Sequence, residues 1–281
     1  MTASLRAEWF LLRKRTATWL ISAVWLILAL LFGYLLPYLS WRGEAGTPAA
    51  ATAGDDPIAQ AVPHELVAAA VQGYPLFAGA LALILGVLMV GSEFGWQTLR
   101  VIFTAGPARA QVLLGKVVVL MLVLLGLVLV TFLLDAPAAR LVAGLADRPV
   151  DWPGVGDLIR GVLGAWLIVG MWALFGMFLA VVTRGTALAV GLGLVWSLAV
   201  ETLLRLFAGS IGFLDGLQKV LPGTNAGGVA AALGVPSQGD PGGTPGVSDA
   251  VGGAQAAIVL GVYIAVFAVA CGQLLRRRDV S

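Results

Sequence analysis

Gly91-Ser92-Glu93-Phe94-Gly95-Trp96-Gln97-Thr98-Leu99-Arg100, continuing to Lys116, is the first long polar interruption in a very apolar chain. The runs on either side are each long enough to cross a bilayer, so the stretch joins two candidate spans. On a helical wheel from Ser92 to Phe103, Trp96, Leu99, Ile102 and Phe103 form an apolar arc. Gln97, Arg100 and Thr104 form a polar one. Ser92 is placed to cap the N-terminus, and Glu93 then stands where the helix dipole favours an acid. Thr104-Ala105-Gly106-Pro107 ends the segment, with Pro107 placed to start the next helix. The expectation is a short helix over 92–104, lying on the membrane surface and tied to the spans on both sides. It reads either as a docking element for a partner or as an ordinary amphipathic loop helix.

The 281 residues are 59% hydrophobic and 11% charged, with a mean hydropathy of +0.96. Soluble domains carry about 25% charged residues. This balance marks an integral membrane protein. A crossing needs roughly 20 apolar residues. The apolar runs predict an all-α fold, one transmembrane domain over 1–281, with spans at about 17–40, 67–91, 112–134, 158–183, 186–206 and 255–275. Lys116 is expected to snorkel to the interface at the start of the third. The first run is too long for a cleaved signal peptide, and no small-residue cleavage site interrupts it. Before it, Leu5, Trp9, Leu12 and Thr16 share a stripe beside Arg6, Arg13 and Lys14. That pattern predicts an interfacial helix over 1–16, a topology anchor or part of a docking surface.

Eleven of the seventeen Lys and Arg residues fall on the N-terminal side of the bilayer, so both termini are expected in the cytoplasm. The outer loops are longer and acidic, with Asp56, Asp135, Asp147 and Asp249 among their residues. The first, Arg42 to Pro63, is expected to be mobile. Thr183-Arg184-Gly185 is so short a link that the fourth and fifth spans must be antiparallel neighbours. The outer region 208–235 reads as two helices too short to span, lying in the interface or re-entering it. Pro222-Gly223 is expected to stop the first and Asn225 to cap the second. Residues 236–253 are Gly/Pro-rich, a flexible stretch without readable site chemistry.

Several functions fall away. A single cysteine, Cys271, excludes an intramolecular disulfide and a cysteine metal cluster, and one loop histidine, His64, cannot build a histidine zinc site. No G-x-x-x-x-G-K-[ST] loop exists to wrap phosphates. Gly209-Ser210-Ile211-Gly212 resembles a nucleophile turn, but no histidine lies in any span. Ion-coupled carriers keep ionisable groups at depth. Here only Glu201 comes close, with Arg205 one turn later. The two read as an ion pair at headgroup level, or Glu201 as an outer gate or contact for a cationic substrate.

The connector, with Gly106-Pro107-Ala108-Arg109 and Gly115-Lys116, resembles the type-2 ABC transporter permease family. So do Ala7-Glu8-Trp9 through Arg15, Leu221-Pro222-Gly223-Thr224-Asn225-Ala226, and the tail Arg277-Arg278-Asp279-Val280. The resemblance implies a six-helix permease that pairs with a second permease, identical or related. Two separate ATP-binding cassette subunits dock beneath, and they, not this chain, bind ATP and Mg. It makes the connector an ATPase-coupling helix. Glu93, Thr98, Arg100 and Arg109 match its motif, and Trp96, Leu99 and Phe103 supply its apolar face. Glu8, Trp9 and Arg13 belong to the N-terminal docking helix, and 208–235 resembles a re-entrant pair. The expected function is export of an amphiphilic or hydrophobic cargo across a bacterial cell membrane: a drug, an antimicrobial peptide or a lipid-linked molecule. The alternatives are a self-contained six-helix channel or secondary carrier without an ATPase, and an intramembrane enzyme.

Overall fold

The computed structural model describes residues 2–43, 56–95, 109–208, 212–240 and 242–277. Among them there are helices, turns and loops but no strand. Six helices are long and apolar enough to cross a membrane. They are span 1 (Thr16–Trp41), span 2 (Pro63–Glu93), span 3 (Gln111–Leu145), span 4 (Val155–Thr183), span 5 (Thr186–Arg205) and span 6 (Gly253–Arg276). An N-terminal helix, Thr2–Lys14, precedes span 1. Two short helices, Gly212–Gln218 and Pro222–Ala232, precede span 6. Residues 96–104 of the expected connector helix lie outside the described residues. The end of the bundle carrying Arg15, Lys116 and Arg184 is here the basic end, and the opposite one the loop end.

Spans 2 and 4 form the core. A Cβ built at Gly86 would overlap the carbonyl oxygen of Ala173, and one at Gly176 would overlap that of Leu83. The two backbones therefore touch twice, which only glycine permits. Trp172 lies across Gly79, at the same seam. Span 3 is pinned to span 4 by Trp166, whose Nε1 donates to the Met121 carbonyl at 2.9 Å. Spans 1, 5 and 6 are the least buried, at 17%, 22% and 22% of their most apolar stretch, against 67% for span 4.

Prolines explain two irregular turns. Pro75 lacks the N–H that span 2 needs, and the chain widens there into a π-helical turn, Tyr74–Ala78. The Ala78 amide accordingly donates to Gly73, five residues back. Span 1 has a similar turn, Leu31–Leu35, just before Pro37.

Four expectations need correction. Span 3 continues past 134 to Leu145, with Pro137 inside it, so Asp135 is a buried helical residue rather than a loop acid. The first loop is packed from Asp56 onward: Ile58 and Ala61 are buried, and Asp56 pairs with Arg148 at 2.5 Å. Pro222-Gly223 starts a helix, and Asn225 lies within it, its Nδ2 donating to the Leu221 carbonyl at 2.7 Å. Residues 236–240 and 242–253 are folded down onto the bundle, with Val247 and Val251 buried.

The seam gives a direct test. Gly86→Ala is expected to lower stability by about 1–3 kcal/mol, because the backbone contact leaves no room for a methyl group. Gly126→Ala, which meets nothing within 4 Å, should leave the thermal midpoint of purified protein unchanged or slightly raised.

Candidate functional site

At the basic end, three elements meet at one ammonium group. Span 2 runs to its last turn and presents Glu93. The chain returns as span 3, whose helix opens at Arg109 and presents Lys116 about two turns in. The N-terminal helix packs on span 3 and presents Glu8. Lys116 Nζ donates to Glu8 Oε1 at 2.7 Å and to Glu93 Oε1 at 2.5 Å. All three are buried, with relative exposures of 2%, 6% and 4% for Lys116, Glu8 and Glu93. Arg15 stands beside them, its Nη1 donating to the Leu88 carbonyl of span 2 at 2.5 Å. Its charge also acts on Glu93.

The group forms a clamp. Two carboxylates and two cations gather there, Glu93 Oε2 being left without a hydrogen bond, and the stems of the connector, 23 residues apart in sequence, are held by one short ion pair. Lys116 does not snorkel outward, because two acids hold it inside. Ser92 does not cap a helix start: it lies within span 2 and its hydroxyl donates to Leu88 four residues back. Trp9 and Arg13 are on the exposed side of the N-terminal helix, facing away from the clamp formed by Glu8. The expected docking residues of that helix are thus divided between its two faces. Trp96, Thr98, Leu99, Arg100 and Phe103 lie outside the described residues. Arg109 begins the helix of span 3.

At the loop end Glu201 is completely buried in span 5. Its Oε1 accepts a hydrogen bond from Trp196 Nε1 at 2.9 Å. Oε2 lies directly against Gly223, in the first turn of the helix Pro222–Ala232. A carboxylate there meets the positive end of the helix dipole. Arg205 acts on it through charge but makes no salt-bridge contact with its carboxylate. Its Nε and Nη1 donate to the Glu201 and Gly246 carbonyls, at 3.4 and 3.3 Å. Glu201 therefore joins span 5 to the short helix, and Arg205 joins it to the folded loop.

Among the described residues no group of three or more His, Cys, Asp or Glu side chains is placed to hold a metal. Cys271 is free and buried, and His64 is an exposed residue 4.0 Å from Glu65. Lys116 and Arg15 are the functional candidates that sequence reading underrated. Their charge was visible, but nothing local indicates that residues over a hundred positions apart share one buried contact.

A family model described as ABC-2 family transporter protein matches residues 4–200, well over half of the chain. No curated protein matches it. The chain belongs to the ABC-2 transporter family. It is a multi-pass membrane protein and a transport subunit of an ABC system. Membership implies association with ABC ATP-binding partners.

Lys116→Met removes one charge and strands two buried acids. It is expected to destabilise the protein by about 3–5 kcal/mol. Adding Glu8→Gln and Glu93→Gln should restore most of the loss in thermal unfolding. A triple variant as unstable as the single one would show that packing, not charge, sets the clamp.

Proposed function

We propose that this ABC-2 family permease is the membrane subunit of an exporter driven by two separate ATP-binding cassette subunits. The cargo is amphiphilic or hydrophobic. The subunit sits in a bacterial cell membrane with both termini in the cytoplasm, which makes the basic end the inner one; the positive-charge bias supports this. The connector that follows Glu93, through 104, acts as the coupling element, and Trp9 and Arg13 widen the docking surface.

The observation that carries the reading is the buried contact of Lys116 with Glu8 and Glu93. It supports coupling because a pushed connector needs stiff stems. A force on the connector is then delivered to spans 2 and 3 and the N-terminal helix together. The weakly buried spans 1 and 5 carry exposed apolar side chains such as Trp19, Ile27, Leu188 and Trp196. They suit a second permease copy, which would complete a translocation path. At the outer end Glu201 holds span 5 to the short helix over Gly223, and this link acts as the gate.

A tagged permease is expected to bring down an ATP-binding subunit. Arg100→Glu should lower ATP-driven export roughly tenfold or more, equivalent to about 1.4 kcal/mol of coupling. If no ATPase co-purifies and export survives the charge reversal, the chain works as a channel or carrier instead. Glu201→Leu keeps the helix but removes the carboxylate at Gly223. It should leave ATPase binding intact while severalfold more ATP is consumed per cargo exported; an unchanged ratio would remove the gate.

A further inference from the structure

A cavity of about 550 Å³ lies between spans 1 and 2 towards the loop end, with residues 242–245 among its walls. That is room for one small ligand. Trp25, Leu28, Phe32, Phe77 and Leu81 supply an apolar wall. The rings of Phe32 and Phe77 stack 5.6 Å apart, one from each span. From Trp25 to Ser40 the cavity follows span 1 for roughly 22 Å, at 1.5 Å per residue. Both π-helical turns, Leu31–Leu35 and Tyr74–Ala78, border it. Such turns recur at functional sites.

The lining changes character along this length. Towards the loop end it gains the carboxamides of Gln60 and Gln72 and the hydroxyls of Ser40 and Thr244. Gln72 reaches deepest of the four: its Nε2 lies at the level of Gly33, where a Cβ would stand 3.6 Å away. Among the described residues, none of these four side chains makes a hydrogen bond. Hydroxyls elsewhere in the spans behave differently. Ser92, Thr131 and Thr183 each donate to the carbonyl four residues back. Among the described residues, Asp56 is the one charged member of the wall, and Arg148 pairs with it at 2.5 Å.

A slot that is apolar in its deep part and hydrogen-bonding in its outer part is complementary to an amphiphile. Water suits the outer part but not the deep one, where aromatic and aliphatic carbon dominates. An ionic head would leave water without an opposite charge to meet it, because Asp56 is already paired. An uncharged head with both donors and acceptors meets two carboxamides and two hydroxyls, each able to give and to accept. We propose that this cavity binds an uncharged, single-chain amphiphile with a hydroxyl-bearing head, of the monoacylglycerol kind. The head lies among Ser40, Gln60, Gln72 and Thr244. The chain runs past Phe32 and Phe77 towards Trp25. The site is built within one chain rather than between two copies, and it holds whether or not the exporter reading does.

The test uses the full chain in lipid nanodiscs, with a monoacylglycerol whose acyl chain carries bromine as the probe. Bromine quenches tryptophan fluorescence at contact. Trp25 is 2% exposed, and so shielded from bulk lipid, yet it lines the cavity. The readout is therefore the part of the quenching that Trp25→Phe abolishes. The controls carry the same brominated chain as a free carboxylate, as an alkylammonium and as a hydrocarbon without a head. The monoacylglycerol should quench saturably, with each control at least about tenfold weaker, a difference of about 1.4 kcal/mol. Gln60→Leu combined with Gln72→Leu should weaken the probe by about the same factor, without lowering the thermal midpoint. Ala29→Phe, which fills the slot from span 1, should abolish the signal. Equal quenching by any control, or no saturable quenching of Trp25, would overturn the proposal even if no variant can be purified. So would quenching unchanged in the glutamine double variant or in Ala29→Phe. Because neither ATP nor the ATPase is present, failure here leaves the exporter reading intact. Loss of ATPase co-purification with quenching preserved would remove the exporter reading and keep the site.

Discussion

Helices in a bilayer gain nothing from hiding apolar surface from one another, because lipid is as apolar as they are. They associate through close contact, and here the closest is between spans 2 and 4. Gly86 lies on Ala173 and Gly176 on Leu83, so two backbones meet with no side chain between them. Span 4 repeats the device around its circumference. Gly170 receives Met121 of span 3, and Gly164 receives Val229 and Leu233 near the short loop-end helix. One glycine-lined helix thus serves as the axis on which spans 2 and 3 and the loop-end helix are seated. Spans 1 and 5 hang on the outside of this axis.

Against that rigid centre the protein treats its buried charges in three ways. Lys116 is held by Glu8 and Glu93 together, although Glu93 Oε2 has no hydrogen-bond partner. Glu201 is compensated in part: a tryptophan N–H meets one oxygen and a helix N-terminus the other. Asp135 has no compensation from the described residues. Burial of an unpaired carboxylate is costly enough that the three cases cannot be equivalent in role. The lysine clamp joins three elements, Glu201 ties span 5 to the short helix, and Asp135 stands without a hydrogen bond among the described residues.

The six spans and the short helices were legible because apolar run length and helical period report directly on membrane crossing. The family was legible in the connector. What the sequence hid is what depends on long-range meeting. Nothing around Lys116 distinguishes a snorkelling lysine from a buried one; only the approach of Glu8, 108 positions away, decides it. Asp135 looked like a loop acid because the apolar run stops there. The helix nonetheless continues for ten residues, since Tyr34, Ile58 and Ala139 build a second small core around it. The Glu201–Arg205 spacing suggested an ion pair, but the loop carbonyl of Gly246 offers the guanidinium a partner that no helical wheel contains.

Span 2 links the clamp and the cavity, and its irregularity determines what passes between them. From Gly79 to Glu93 it is a regular helix pressed on span 4 at Gly79 and Gly86. Above lies the turn Tyr74–Ala78, where Pro75 removes a backbone donor and the ladder shifts to a five-residue step. Beyond that, Leu66–Val71 is buried entirely in the loop-end packing. A displacement delivered at Glu93 would travel along the regular part as a rigid body. It would be absorbed where the hydrogen-bond ladder is weakest, and not in the buried segment beyond. That weak point holds Tyr74 and Phe77, which line the cavity. The clamp needs stiffness and the cavity needs compliance, and a single proline in span 2 separates the two.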